Sequence, residues 1–594
     1  MPIIQQENGR RSVKGLPQSW GVRAYRELSA AQAGAIGPMP DRYKKLAAML
    51  DGLTSAAIPL DSTDAQLCMM AERWANDCAS NAATIHDAAA LRQRMEFICR
   101  VRGVEPPDEE DDQQVIRRCT DPAWWRRNLR RVFNRMFEHA AIRLGRVSGR
   151  AGVYVSDETV QKRISQNRRN SKALRSVTME NEQGQRFGLD ALASKGMGNK
   201  RLRKGELMLR FAGCEEIANE RGDVGLFITV TCPSKFHAVL FKTNEINPHY
   251  EGATPRDAQD HLTAVWERTR AQNHRDCIQP YGLRMVEPHH DGCAHWHMVM
   301  FMAPDQVEQF TKNLRHYALE VDGNEPGAQA RRVVTEPIDP AKGSAAGYLV
   351  KYVSKNFDDE HVGVHIDEDG TRSIPDLVGG VVITPAQRVE AWAAVWGIRQ
   401  FQFVGTPPVM PWRETRRIEA AKVQNAPEHI KAAWLACQRE TTTDEHGEVT
   451  VTKPADYAAY IRAQGGVNMG RDYLIHVATR LKAVEGRYGL VDRPVPTGIY
   501  CATAPQVQYA STRYEWRRVG LAVGVGLRGP WSPVNNCTVE DAPFWEAAAG
   551  YTPYIPPHDD SEWFEAFDFA CFDQFGEFNP DLFTERESNN ARKD

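Results

Sequence analysis

Two short runs carry the residues that could do chemistry. The first is AHWHMVMF, in which His295 and His297 stand one residue apart inside an apolar stretch. In a strand, positions i and i+2 project from the same face, so the two imidazoles stand side by side while Trp296 points away. Paired imidazoles suit a metal ion, although such pairs also arise by chance in plain β structure. The residues ahead of them strengthen the metal reading. VEPHHDGCAH holds Asp291-Gly292 at its middle, a strong hairpin signal. With a loop of His290–Asp291–Gly292, and Gly292 in the left-handed conformation, Glu287 falls directly opposite His295. Cross-strand partners lie about 5 Å apart at Cβ. Glu287, His295 and His297 would then offer two imidazoles and a carboxylate. That set suits a divalent ion with positions left open for water or a phosphate oxygen. The plainer alternative for Glu287 is an exposed strand carboxylate. His289 and His290, nearer the turn, read as turn or phosphate-contact residues.

The second run is GYLVKYVSKNFDD. Tyr348 and Tyr352 are spaced i, i+4, and so are Lys351 and Lys355. On a helix each pair shares a side, and the two sides adjoin. A tyrosine with its ordinary pKa near 10 is a poor nucleophile. A neighbouring ammonium, or a metal-bound phosphate, favours the phenolate and neutralises the attacked diester. Alone, the run fits an amphipathic helix equally well, with Tyr in the core and Lys in water.

These residues need a frame. GLFITVTC, YGLRMVEP and HWHMVMFM read as strands, with helical patterns between and after them. That alternation marks an α+β unit over 221–405, a central, mostly antiparallel sheet with helices on one face. Arg388, Trp392, Trp396 and Arg399 fall on one helix face, where a structural role is expected, and Gln400–Phe403 returns to the sheet. Upstream, 59–220 reads as helical and basic. Its clearest element, PAWWRRNLRRVFNRMFEHAAIRLGR, starts at Pro122, which suits a first helical turn. Leu129, Val132, Phe133, Met136 and Phe137 give it a core face. Its arginines form either a solvated face or a DNA contact. Residues 1–58 read as a poorly ordered lead-in, 406–539 as a mixed accessory region and 540–594 as an acidic, aromatic tail.

The net charge of −3 hides a strong asymmetry. Between Arg117 and Arg210 there are 23 Lys and Arg against 8 Asp and Glu. From Glu540 onward there are 3 against 14. The basic block is the footprint expected of phosphate binding. The 594 residues are 42% hydrophobic and 25% charged, an ordinary globular composition. The 12 cysteines form no C-x-x-C pair, which argues against a zinc ribbon or a disulfide framework. No apolar stretch approaches the roughly 18 residues of a membrane span, and the start carries no apolar signal region. The expected location is a reducing cytoplasm, with no membrane partner.

The order of these runs resembles the three motifs of the rolling-circle replication initiators, the His-hydrophobic-His endonuclease superfamily. Phe227, Thr229 and Thr231 in LFITVTCPSKFHA match the first motif, F-x-T-x-T. His295 and His297 match the second, with Trp296 at its hydrophobic centre. Tyr348 and Tyr352 match the paired nucleophiles of the two-tyrosine branch. GVRAYR, VEPHHDGCAHWHMVMF and AVWGIRQFQFVG are similar to the replication gene A protein family of tailed phages, with clear resemblance over about 120–405.

The resemblance implies a site- and strand-specific DNA endonuclease and ligase that initiates rolling-circle replication. Mg²⁺ or Mn²⁺ would polarise one phosphodiester of single-stranded or melted origin DNA. One tyrosine would form a 5′-phosphotyrosine link, and the second would act when the circle is closed. Lys351 and Lys355 would hold phosphate. A relaxase or transposase on the same core, and a non-catalytic DNA-binding protein with structural histidines, are the alternatives. No Walker A sequence occurs, so a host helicase and other replisome proteins are expected partners. The acidic tail is one candidate docking segment. Gly524-x-Gly526-x-x-Gly529 lacks the βαβ context of a dinucleotide site.

Overall fold

The computed structural model describes Trp20 and residues 58–519, apart from 340, 342, 348, 350–352, 354–364, 367–371, 374–375, 379–380 and 444–448. Most of the lead-in, the Gly524 motif and the acidic tail lie outside the described residues. So do Tyr348, Lys351, Tyr352 and Lys355. The described residues fall into two units, divided between Arg146 and Val147.

The first unit is helical. It contains α1 (Asp64–Thr84), α2 (Ala88–Val101), α3 (Asp112–Cys119) and α4 (Pro122–Arg143). Each start is set locally: Thr63, Asp87, Asp111 and Asp121 accept hydrogen bonds from first-turn N–H groups. In α4, Pro122 occupies the opening turn, and Leu129, Phe133 and Phe137 are buried. Trp125 is also buried, and its indole N–H donates to the Cys119 carbonyl at 2.7 Å.

The second unit is built on a five-stranded sheet: β1 (Val224–Val230), β2 (Tyr281–Pro288), β3 (Ala294–Met302), β4 (Val333–Pro337) and β5 (Phe401–Val404). The order is β5-β2-β3-β1-β4, and every neighbouring pair is antiparallel. The class is therefore α+β around an antiparallel sheet. The helices that matter for the site are α5 (Asp157–Arg175), α6 (Lys200–Arg221), α7 (Pro255–Arg275), α8 (Val307–Ala318) and α9 (Pro385–Trp396).

Helices cover both faces of this sheet, rather than the one face expected. On the Trp296 face, α7 sends Gln259, whose side-chain oxygen accepts from the Trp296 indole at 2.8 Å. On the opposite face, Phe211 of α6 lies 5.9 Å from the Phe301 ring. The reason lies in β2 and β3, where every residue is buried. In β3, Met298 and Met300 face one way while Val299 and Phe301 face the other. A strand with no polar face must be covered on both sides.

The His-bearing face of the sheet continues into a large hydrophobic cluster. It contains Phe227, Leu283, Met285, Val299 and Phe301 together with Leu207 and Phe211 of α6. Leu349 and Val353 are fully buried in the same cluster. They are helical, as are Ala345, Ala346 and Gly347. The Ala345 and Ala346 N–H groups donate to the Glu215 carboxylate of α6 at 2.6 and 3.2 Å.

Gly282 lies in β2 beneath this cluster, with φ of 151°. A Cβ there would sit 2.0 Å from the Val299 carbonyl oxygen of β3. Backbone cannot yield as a flexible side chain does. Gly282→Ala is expected to cost about 2–4 kcal/mol of stability, read as a lowered denaturant midpoint at unchanged slope. A midpoint equal to that of the unsubstituted protein would show the strand pair to be looser than described.

Candidate metal centre

The turn between β2 and β3 sets the site. His289 N–H donates to the Cys293 carbonyl at 2.7 Å, and Gly292 N–H to the His289 carbonyl at 2.8 Å. Gly292 takes φ of 82°, so residues 290–292 form the loop expected from Asp-Gly. The resulting register places Glu287 opposite His295 and Met285 opposite His297. On the other side of β3, Thr229 of β1 faces His297.

Three ligand atoms converge. One from each of Glu287, His295 and His297 all lie within 4.8 Å of one another. The two Nε2 atoms are 2.8 Å apart, and a Glu287 carboxylate oxygen is 4.0 Å from His297 Nε2. All three residues are buried. A donor set of two imidazole nitrogens and one carboxylate oxygen fits a divalent ion with open coordination positions.

The surroundings orient this set. Thr229 Oγ1 lies 3.1 Å from His297 Nδ1. With Nδ1–H donating to that hydroxyl, the Nε2 lone pair is left to face the other ligands. Phe227 stacks on the His297 ring at 5.5 Å and 23°. The two leading residues of the F-x-T-x-T run therefore hold one imidazole. Thr231 does something different: its hydroxyl donates to the Arg331 carbonyl at 3.1 Å, beyond the end of β1.

A model of the bacteriophage replication gene A protein family matches residues 60–360. The chain belongs to that family. It is 37% identical over 442 residues to the replication gene A protein of Escherichia phage 186, covering 72% of this chain and 60% of that one. It is also 37% identical over 447 residues to the replication protein of Haemophilus phage HP1, covering 72% and 54%. A probable replication endonuclease from a prophage-like region of Salmonella paratyphi A is 32% identical over 440 residues, covering 70% and 51%. The chain thus spans about half to two thirds of the length of the curated relatives it matches. No solved structure matches it.

The candidate metal centre has a supporting shell that strand patterns do not reveal. Asp291 is buried at the turn, and its carboxylate accepts from the Ala238 and Cys293 N–H groups, each at 3.1 Å. His237 Nδ1 lies 3.1 Å from the same carboxylate. Burial alone would raise the Asp291 pKa, but the charge of His237 holds it well below the usual carboxylate range. Burial likewise works against a charged His237, and Asp291 overrides it, so the His237 pKa stands above its ordinary value. His289 packs its ring 4.0 Å from His295, and burial together with that neighbour keeps it neutral. His290 is buried beside Phe241.

Helix α9 braces the turn. The Trp392 indole donates to the Gly292 carbonyl at 2.9 Å. Arg388, Trp392 and Trp396 are buried, as the shared helix face implied. Arg399 departs from that face, because Gly397 ends the helix in the left-handed conformation and Arg399 is exposed. Asp291, His237 and Trp392 escaped the sequence reading as site supports. The Asp-Gly turn was the available signal, but it reports a turn whether or not its carboxylate is buried.

Two outcomes check this geometry. Thr229→Val should weaken Mn²⁺ binding to the purified chain by about tenfold or more, read by calorimetric titration, with little change in thermal stability. Asp291→Asn should cost about 2–3 kcal/mol at neutral pH, since it empties a buried ionic position. A depressed carboxylate pKa contributes stability that is present above the ordinary value and lost as pH falls toward the folded value. The gap between Asp291→Asn and the parent should therefore narrow below about pH 4 in denaturant titrations.

Proposed function

We propose that the chain is a DNA nicking–joining endonuclease that initiates rolling-circle replication of a phage genome. The observation that carries the reading is the convergence of Glu287, His295 and His297 on one buried point. Tyr348 and Tyr352 follow in the sequence, next to Leu349 and Val353, which are buried in the cluster lining that same sheet face. The names of the relatives, a replication gene A protein and a replication endonuclease, support the same reading.

The substrate is a phosphodiester of single-stranded or melted origin DNA. Glu287, His295 and His297 would hold Mg²⁺ or Mn²⁺, which would supply Lewis-acid polarisation of a phosphate oxygen. The Oη of one tyrosine, having lost its proton, attacks phosphorus. The new Oη–P bond forms as the P–O3′ bond breaks, and O3′ takes up a proton to leave as a 3′-hydroxyl. The fragment downstream of the nick stays on the enzyme through its 5′-phosphate, as a phosphotyrosine, and the 3′-hydroxyl primes synthesis. One phosphoester replaces another, so rejoining needs no ATP. The second tyrosine, four residues away in the sequence, attacks the regenerated junction, and the released 3′-hydroxyl then closes the circle. Lys351 and Lys355 hold the phosphate and favour the phenolate.

The sequence carries no Walker A motif, so strand separation falls to a host replicative helicase and its replisome partners in the bacterial cytoplasm. Among the described residues, no helix is long and apolar enough to cross a membrane.

The test is incubation of end-labelled single-stranded origin DNA with the protein and Mn²⁺, followed by denaturing electrophoresis. The protein is expected to yield a covalent protein–DNA band. That band should disappear in the Tyr348→Phe, Tyr352→Phe double variant and fall by at least about 10²-fold in His297→Ala. A band that survives the double substitution removes the tyrosine mechanism. Salt-sensitive binding with no band identifies a binding module instead.

A further inference from the structure

Helix α5 is a poor core helix: over its 19 residues only Thr159 and Val160 are buried. Beyond its first turn it carries Lys162, Arg163, Arg168, Arg169, Lys172 and Arg175 and no acidic residue. It forms one wall of a cleft of about 500 Å³ whose other side includes Lys200 and residues Gln387 and Glu390 of α9. Two cations of this cleft are already paired. The Glu390 carboxylate binds Arg163 at 3.0 Å and Lys200 at 2.7 Å, and Asn167 donates to it at 2.8 Å. Burial would raise the Glu390 pKa, but Lys200 and Arg163 bring it down to about 2, so it stays charged.

The remaining cations are not paired. Arg168, Lys172 and Arg175 are exposed and have no carboxylate partner among the described residues. They are spaced i, i+4 and i+7, which puts them on one side of α5. At 1.5 Å per residue the stripe is about 10 Å long. A row of three cations of this length faces the regularly repeated charges of one phosphodiester strand. Glu390 anchors the inner cations and leaves the outer row free to meet an anion.

This cleft is tied to the metal site by short covalent and hydrogen-bonded paths. Tyr154, three residues before α5, donates its N–H to the His290 carbonyl in the turn at 3.3 Å. Arg388 of α9 binds the Asp157 carboxylate at the start of α5 at 2.7 Å. One turn further along α9, Trp392 holds Gly292. The helix that floors the cleft is therefore the helix that braces the ligand hairpin.

We propose that the α5–α9 cleft is the grip for the phosphate backbone of the DNA single strand that runs through the metal site, with Arg168, Lys172 and Arg175 as its phosphate contacts. The proposal rests on the nicking reading above for the identity of the strand. Its contacts carry no sequence information, so they set affinity and position rather than choice of origin.

The experiment compares the full chain with the triple variant Arg168→Ala, Lys172→Ala, Arg175→Ala. A second triple variant, Arg270→Ala, Lys312→Ala, Arg439→Ala, removes equal charge elsewhere. Binding of a long fluorescent single-stranded oligonucleotide is measured by anisotropy over a series of salt concentrations. Losing three phosphate contacts should lower the slope of log K against log salt by about 2 and weaken binding about tenfold or more, while the second triple variant keeps the parent slope. Equal slopes in parent and cleft variant, or an equal loss in both variants, overturns the proposal. Arg168→Glu alone provides a further reading should the triple variant prove unstable, with a larger loss of affinity than Arg168→Ala expected and equal affinities counting against the cleft. The phosphotyrosine band is scored separately on the parent protein. A slope loss with no band leaves the cleft standing and removes the nicking reading. A band with no slope loss does the reverse.

Discussion

The alignment of β2 with β3 is the constraint on which the site depends. A slip of one residue would turn Glu287 away from the imidazoles. Three things fix it. Gly292 adopts the left-handed conformation that closes a short turn. Asp291 is buried with its carboxylate held by two backbone N–H groups and His237. Trp392 grips the Gly292 carbonyl from outside the sheet. The turn is therefore held by its own backbone, by a buried ionic pair and by a neighbouring helix.

That arrangement resolves a conflict built into the site. Metal ligands need lone pairs free of other partners, yet buried polar atoms without partners are costly. Here the supporting bonds go to atoms that do not face the convergence point. Thr229 meets Nδ1 of His297, which leaves Nε2 turned toward His295 and Glu287. Phe227 and the cluster reaching Leu349 and Val353 exclude water from the flank. A divalent ion is the natural partner for what remains.

Much of this was legible in the chain itself. The i, i+2 spacing of His295 and His297, the Asp-Gly turn and the opposition of Glu287 all follow from strand periodicity and turn chemistry, and the structure places them so. The strands around them were equally plain. The covering of both sheet faces was less so, although the unbroken apolar run after His297 held the reason. The supporting residues were not legible. His237 lies 54 positions before Asp291, and Trp392 lies 100 positions after Gly292, with no period or motif linking either pair.

The sequence by itself determined the ligand types, their shared face and the family, because those rest on short-range rules: alternation along a strand, conformation at one glycine, the spacing of short motifs. Only the tertiary structure decided which atoms hold the ligands in place and which cations are left unpaired. Arg163 and Arg168 look alike in a basic run. One is tied to Glu390, brought from 227 positions away, and the other is open to solvent. Burial and distant pairing arise from how the helices pack, and local patterns do not encode that.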